Sequence, residues 1–196
     1  MSTRIPLLLT VVLFLSGCGS SPPSRFYGLQ PIADAVERSN DQISLGIGPM
    51  SFPRYLDRPQ IVTQQHSGEV VLAEFDRWAE PVSSAFQRTL AQNLDSLLVD
   101  AIVIRYPFGG GLLSVDYRLV GQVSSFVVDQ SGRATLDVSW SIVDTEGNSM
   151  VSASRSIFHA QTASVTDYSQ VVRAMNETLT AYSREIAQQL TAARTD

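Results

Sequence analysis

Leu15-Ser16-Gly17-Cys18 is the stretch whose residue types and spacing most directly specify a reaction. Cys18 is the only cysteine, and the apolar run from Ile5 to Leu15 precedes it behind a single charged side chain, Arg4. That is the layout of an export signal ending in a lipobox. The thiol of Cys18 is then joined to a diacylglycerol, and small Ser16 and Gly17 let a peptidase reach the bond before it. Residues 1–17 are removed as a signal peptide, and Cys18 becomes an acylated amino terminus carrying chains such as palmitate. The bland alternatives are a buried thiol in an apolar terminus or a short membrane anchor. A span needs about 20 apolar residues, and this run is shorter.

Other reactive groups are sparse. Only His66 and His159 could act as imidazole bases. Neither has metal-ligand spacing, and neither sits beside a nucleophile elbow. His66 reads as a turn residue and His159 as a core or surface histidine. Asp57 and Glu80 could pair only if the fold joins them, and the pattern does not show that it does. No catalytic residue, metal ligand or cofactor site is expected. All fourteen basic residues are Arg, which removes Schiff-base chemistry and the phosphate-binding Lys of a P-loop. A formal charge of -5 argues against a nucleic-acid partner, because phosphate binding needs clustered positive charge.

The lipid sets the setting for everything else. Each buried methylene contributes about 0.8 kcal/mol, so one chain holds a protein reversibly and two or more hold it stably. Gly19 follows the cysteine. Where Asp at this place retains lipoproteins in the inner membrane, Gly permits transfer to the outer one, so the expected place is the periplasmic face of the outer membrane. With its one cysteine acylated, the chain has no intrachain disulfide and must be held by packing alone. Hydrophobic residues make up 44% of the sequence, enough for a real core.

Residues 18–25 form the lipidated terminus and a Ser/Pro spacer, and 26–196 a single domain. Phe26 to Leu29 reads as an edge strand. Ile43, Leu45 and Ile47 alternate in a strand ending at Gly48-Pro49. Ile61 to Thr63 and Val70 to Leu72 make a hairpin. Pro81 suits the first turn of a helix opened by Trp78-Ala79-Glu80, and Val82, Phe86, Leu90, Leu94 and Leu97 form its apolar stripe. Glu80 complements that helix's dipole. Ala101 to Tyr106 is strand-like, and Gly109-Gly110-Gly111 is a flexible tip. Leu113 to Asp129 alternates, with a change of phase that places a bulge near Ser124 and Ser125. Ala134 to Ile142 and Val151 to Ile157 complete an antiparallel meander. A second helix runs from about Tyr168 to Ala193, with Gln170 reaching back to Asp167. The expected fold is α+β, an antiparallel sheet with two long amphipathic helices packed on it.

Between these elements, Ser51 to Pro59 stands out. Pro53 and Pro59 fix the backbone and push Phe52 and Arg58 to extended shapes, while Phe52, Tyr55 and Leu56 are large for a connection. The loop is either a docking surface or a lid whose aromatic side chains cover the domain's own core.

Ile47-Gly48-Pro49, Tyr55-Leu56-Asp57-Arg58-Pro59-Gln60-Ile61-Val62-Thr63 and Phe75-Asp76-Arg77-Trp78-Ala79-Glu80-Pro81, all downstream of the lipobox, resemble the PqiC-type auxiliary lipoproteins of ABC and MCE lipid transport systems. The resemblance is specific in 56–63 and 77–81 and loose after Leu97. It implies a non-catalytic periplasmic subunit that helps an MCE-domain protein move phospholipid between membranes, with energy from a separate ATPase. A homo-oligomer is plausible against ring-shaped MCE assemblies. Phe52, Tyr55, Leu56, Asp57, Arg58, Arg77, Trp78 and Glu80 are then the expected partner-binding residues. The rivals are a structural lipoprotein of another envelope complex, such as a secretin pilot or Tol-like module, and a lipid-modifying hydrolase built on a buried Ser, His and carboxylate. Carriage of lipid by the domain itself calls for an apolar cavity between helices and sheet.

Overall fold

The computed structural model describes residues 22–32, 42–65, 67–107 and 114–194. Cys18, His66 and the Gly109–Gly111 tip lie outside them, as do the signal segment and residues 19–21 of the spacer. Eight strands form one sheet: β1 (Arg25–Tyr27), β2 (Ile43–Ser51), β3 (Gln60–Gln64), β4 (Val70–Trp78), β5 (Ala101–Arg105), β6 (Tyr117–Asp129), β7 (Arg133–Asp144) and β8 (Ser149–Gln161). Two helices accompany it, α1 (Val82–Leu97) and α2 (Tyr168–Ala193).

The sheet is mixed, which corrects the antiparallel expectation. β3–β4, β6–β7 and β7–β8 pair antiparallel, whereas β1–β4, β2–β5, β2–β6 and β3–β6 are parallel. Nor do the helices sit as a pair on an antiparallel sheet: α1 packs against β2 and β5, and α2 against β6, β7 and β8. Period-2 alternation fixes which face a side chain takes, not which strand lies alongside or in which direction it runs. One local sign of parallel pairing is the run of buried residues from Leu45 to Gly48 in β2, a strand flanked by parallel neighbours on both sides.

Long β6 organises the sheet. One side pairs with β7 from Tyr117 to Val128, while the other takes β2 along its first half and β3 at its end. Gln122 and Val128 of β6 are six positions apart, yet their partners Ser51 and Thr63 on β2 and β3 are twelve positions apart. The 52–59 loop is the excess between two nearly collinear strands. The β6–β7 register slips between Val123 and Ser125, where the phase change in the sequence placed the bulge. β2 runs past Gly48-Pro49 to Ser51, with its own register shift between Ile47 and Met50. Gly48 has φ 124°, and a Cβ there would lie 2.6 Å from the Tyr106 carbonyl oxygen, so only glycine fits.

Both helices bury their apolar stripes on one face of the sheet. Phe86 of α1 meets Phe126 of β6 at 5.4 Å and Tyr182 of α2 at 6.3 Å between ring centroids, and Trp140 and Phe158 close on Tyr182 at 6.4 and 6.0 Å. These rings occupy the space between helices and sheet. Buried Asn93 joins three segments: its Nδ2 donates to Ser183 Oγ at 3.0 Å and its Oδ1 accepts from the Ile32 N–H at 2.8 Å. That last bond, with Asn176 bonded to both backbone groups of Gln30, pins the chain leaving β1 across the helices. α2 is capped by Asp167, which accepts from the Ser169 N–H at 3.0 Å and from Gln170 Nε2 at 2.9 Å.

Candidate functional site

The 52–59 loop is braced from beneath. Phe52 packs edge-on against Phe86 at 5.2 Å, and Leu56 is buried. The Leu56 and Asp57 N–H groups donate to the Pro53 carbonyl, closing a tight turn around Arg54 and Tyr55. At the far end the Trp78 N–H donates to the Pro59 carbonyl at 2.7 Å, which ties the loop to the end of β4. Trp78 closes β4 rather than opening a helix, and its side chain is buried in the core.

α1 starts one residue later than Pro81, which is the N-cap and carries no side-chain acceptor. Asp57 supplies one from the neighbouring loop: its Oδ1 accepts from the Ser83 N–H at 3.2 Å, satisfying a first-turn amide. Glu80 is held by Arg88, eight residues further on in α1, at 2.8 Å. It does not meet Asp57 among the contacts formed.

The eight expected residues therefore divide by position. Phe52, Leu56 and Trp78 face the domain's own core, Asp57 serves the helix, and Glu80 is engaged by Arg88. Tyr55 remains exposed, and partial burial pushes its hydroxyl above the usual tyrosine range. Arg58 and Arg77 are half-buried, and the Nε of each is shielded from solvent without an acceptor among the described residues. A guanidinium N–H buried this way gains free energy from any acceptor brought to it.

Sequence reading missed Asp76, the neighbour of Arg77. It is only 5% exposed, yet it accepts from Arg25 Nε and Nη2 at 2.8 and 2.9 Å and from the Tyr27 hydroxyl at 2.8 Å. Burial pushes the Asp76 carboxyl upward, but the hydrogen bonds and charge of Arg25, with the Tyr27 bond, overcome this and hold it below the usual carboxylate range. This cluster locks three-residue β1 to β4. The signal was faint: an acid in the middle of Phe75-Asp76-Arg77-Trp78 is a buried-strand acid only if the chain continues as a strand.

Catalytic groupings do not assemble among the described residues. His159 is exposed and its Nδ1 lies 3.1 Å from Thr135 Oγ1. Ser156 bonds Glu185 and accepts from Trp140 Nε1 at 3.0 Å, with no histidine in the set. No group of three His, Cys, Asp or Glu could hold a metal among the described residues, and no helix there is long and apolar enough to cross a membrane.

A domain with a mixed sheet, two helices on one face and a braced loop is the class of protein these features define, and comparison with known proteins gives it a family. The profile of ABC-type transport auxiliary lipoprotein components matches residues 27–187, and the chain belongs to that family. It is 26% identical over 106 residues to the intermembrane transport lipoprotein PqiC of Escherichia coli strain K12, and equally to that of Shigella flexneri. The matched region covers 53% of this chain and 57% of either relative. A solved structure of an uncharacterized protein superposes with a TM-score of 0.71 at 20% identity, covering 86% of this chain and 99% of the other. A second, from Xanthomonas campestris, gives 0.67 at 18% identity over 87% and 98%. Both share the fold.

Proposed function

We propose that this auxiliary lipoprotein is a non-catalytic subunit of an ABC/MCE-type lipid transport system. Anchored through Cys18 on the periplasmic face of the outer membrane, it docks the MCE assembly there and so supports phospholipid trafficking and envelope integrity. The family and the likeness to PqiC support the transport role. The observation that carries the docking role is the construction of the 52–59 loop. Phe52, Leu56 and Trp78 hold it from inside, while Tyr55 stays exposed and half-buried Arg58 keeps an Nε without an acceptor among the described residues. A loop fixed before its partner arrives loses little entropy on binding. Asp57 and Glu80 position it, and Arg77, on β4 rather than in the loop, lies outside this contact. Several copies around a ring-shaped MCE assembly would repeat the contact.

Co-purification of the MCE-domain protein tests this. Tyr55→Ala combined with Arg58→Ala should lower the captured partner at least tenfold, with an unfolding free energy within about 0.5 kcal/mol of wild type, as for surface changes. Trp78→Ala should instead destabilise the fold by about 3 to 5 kcal/mol. Undiminished capture by the double variant rejects the surface.

A further inference from the structure

Phe26 is the most exposed large apolar side chain among the described residues, at 65%. It sits on β1, directly after the spacer, in parallel register with Arg77 of β4. Partners in register share a face and neighbours alternate. Trp78 and Asp76 point to the helix-covered side, so Phe26 and Arg77 project from the uncovered side of the sheet. There Arg77 Nε is shielded and lacks an acceptor among the described residues. Arg25, the other cation on β1, is already committed to Asp76.

Tether length decides what this pair meets. Eight residues separate Phe26 from Cys18, a reach of at most about 28 Å at ~3.5 Å per residue. A 171-residue domain has a radius of gyration of about 15 to 16 Å, hence a width of about 40 Å. The tether is shorter than the domain is wide, so the β1 edge stays within about 28 Å of the bilayer while the far side of the domain can lie beyond it. Pro22 and Pro23 stiffen the tether further. An exposed aromatic ring and an unanswered guanidinium held at that distance match the two chemistries of a lipid interface, apolar acyl boundary and anionic phosphate.

We propose that the β1–β4 edge is a second membrane contact, in which Phe26 enters the interfacial layer and Arg77 binds the phosphate of an anionic phospholipid. It rests on the reading of Cys18 as acylated. The contact fixes the orientation of the domain on its anchor, with the 52–59 loop beside it.

Acylation occupies the native thiol, so one introduced cysteine is uniquely labelled. Phe26→Cys and Val99→Cys are each made in the full chain, purified as the mature lipoprotein and labelled with an environment-sensitive fluorophore. They are reconstituted into phosphatidylcholine vesicles containing phosphatidylglycerol and a headgroup-quencher lipid. Val99 is the control, 44% exposed beyond the end of α1 opposite the braced loop. Quenching at position 26 should exceed that at 99 at least threefold, fall when phosphatidylcholine replaces the phosphatidylglycerol at constant quencher content, and lose that lipid dependence with Arg77→Ala. Equal quenching at both positions overturns the proposal, as does quenching at 26 indifferent to phosphatidylglycerol and to Arg77→Ala; an acidic protein partner would then be the better occupant of the edge. Mass spectrometry of the terminal peptide separates the failures: no acyl group on Cys18 removes the anchor reading itself, whereas an acylated protein with an unquenched label removes only this contact.

Discussion

Tyr182 lies at the centre of the aromatic cluster, fully buried, and its hydroxyl has no hydrogen-bond partner among the described residues. Burial, with the charge of Glu185 second, drives its pKa far above the ordinary value, so it stays protonated at any pH at which the domain is folded. A desolvated hydroxyl without a partner opposes folding by about 1 to 3 kcal/mol, while the ring supplies packing. Tyr182→Phe should therefore leave stability unchanged or raise it by about 1 kcal/mol in urea denaturation, and a loss would mean the hydroxyl is satisfied. Asp76 is the opposite case, a buried carboxylate with every bond answered. Asp76→Asn should lower stability at pH 7 by about 2 kcal/mol, the scale of hydrogen bonds to a charged group, moderated because Arg25 is largely exposed. The sign with pH follows from the lowered carboxyl. The unfolded chain takes up the proton first, so the contribution is full above about pH 4 and disappears as pH falls through the folded value. Urea curves of the two proteins should thus differ by less at pH 3 than at pH 7.

The excursion of the chain between β2 and β3 makes two elements depend on each other. α1 has a proline at its N-cap and borrows Asp57 for a first-turn amide, so loop and helix start should weaken together. Asp57→Ala should destabilise by about 1 kcal/mol, the usual loss for a cap, and increase hydrogen exchange at Ser83 first. Gly121 guards the other side of the junction, where a Cβ would fall 2.6 Å from the Ser139 carbonyl oxygen and 3.1 Å from Met50 Cε. Gly121→Ala should cost about 2 kcal/mol or more through overpacking, read as a shift of the thermal midpoint. Much of this architecture was legible. Both helices, the β3–β4 hairpin, the β6–β8 meander and the bulge at Ser124 and Ser125 follow from periodicity and turn residues, because those signals are local. The parallel pairings were not legible, since the partners of β2 are set by β5 and β6, far along the chain. Trp78 was misplaced because Pro81 and Glu80 resemble a helix start, yet β4 continues through a register irregularity that erases its alternation. Of the proposed site, the loop and its bracing aromatics could be singled out from size and proline content. Which side chains turn inward could not, because that depends on Phe86 arriving from α1.

A sheet with helices on one face and an open face on the other gives the molecule two distinct sides, and the braced loop is tied to the end of β4, the strand that carries β1. That arrangement couples the address of the protein to its work. If the domain joins an MCE assembly to the outer membrane, a correctly folded copy held in the inner membrane should bind its partner and still fail. Gly19→Asp isolates this, because it changes the sorting residue that follows Cys18 and no residue of the loop or of β1. In a host that retains Asp-bearing lipoproteins, the variant should move to the inner-membrane fraction of a density gradient. Its unfolding midpoint and its capture of the MCE-domain protein from detergent extracts should match wild type, while rescue of envelope integrity in a deletion strain is lost. Full rescue from the inner membrane would separate the function from its location and leave the domain as a component needed for assembly rather than as the link to the far membrane.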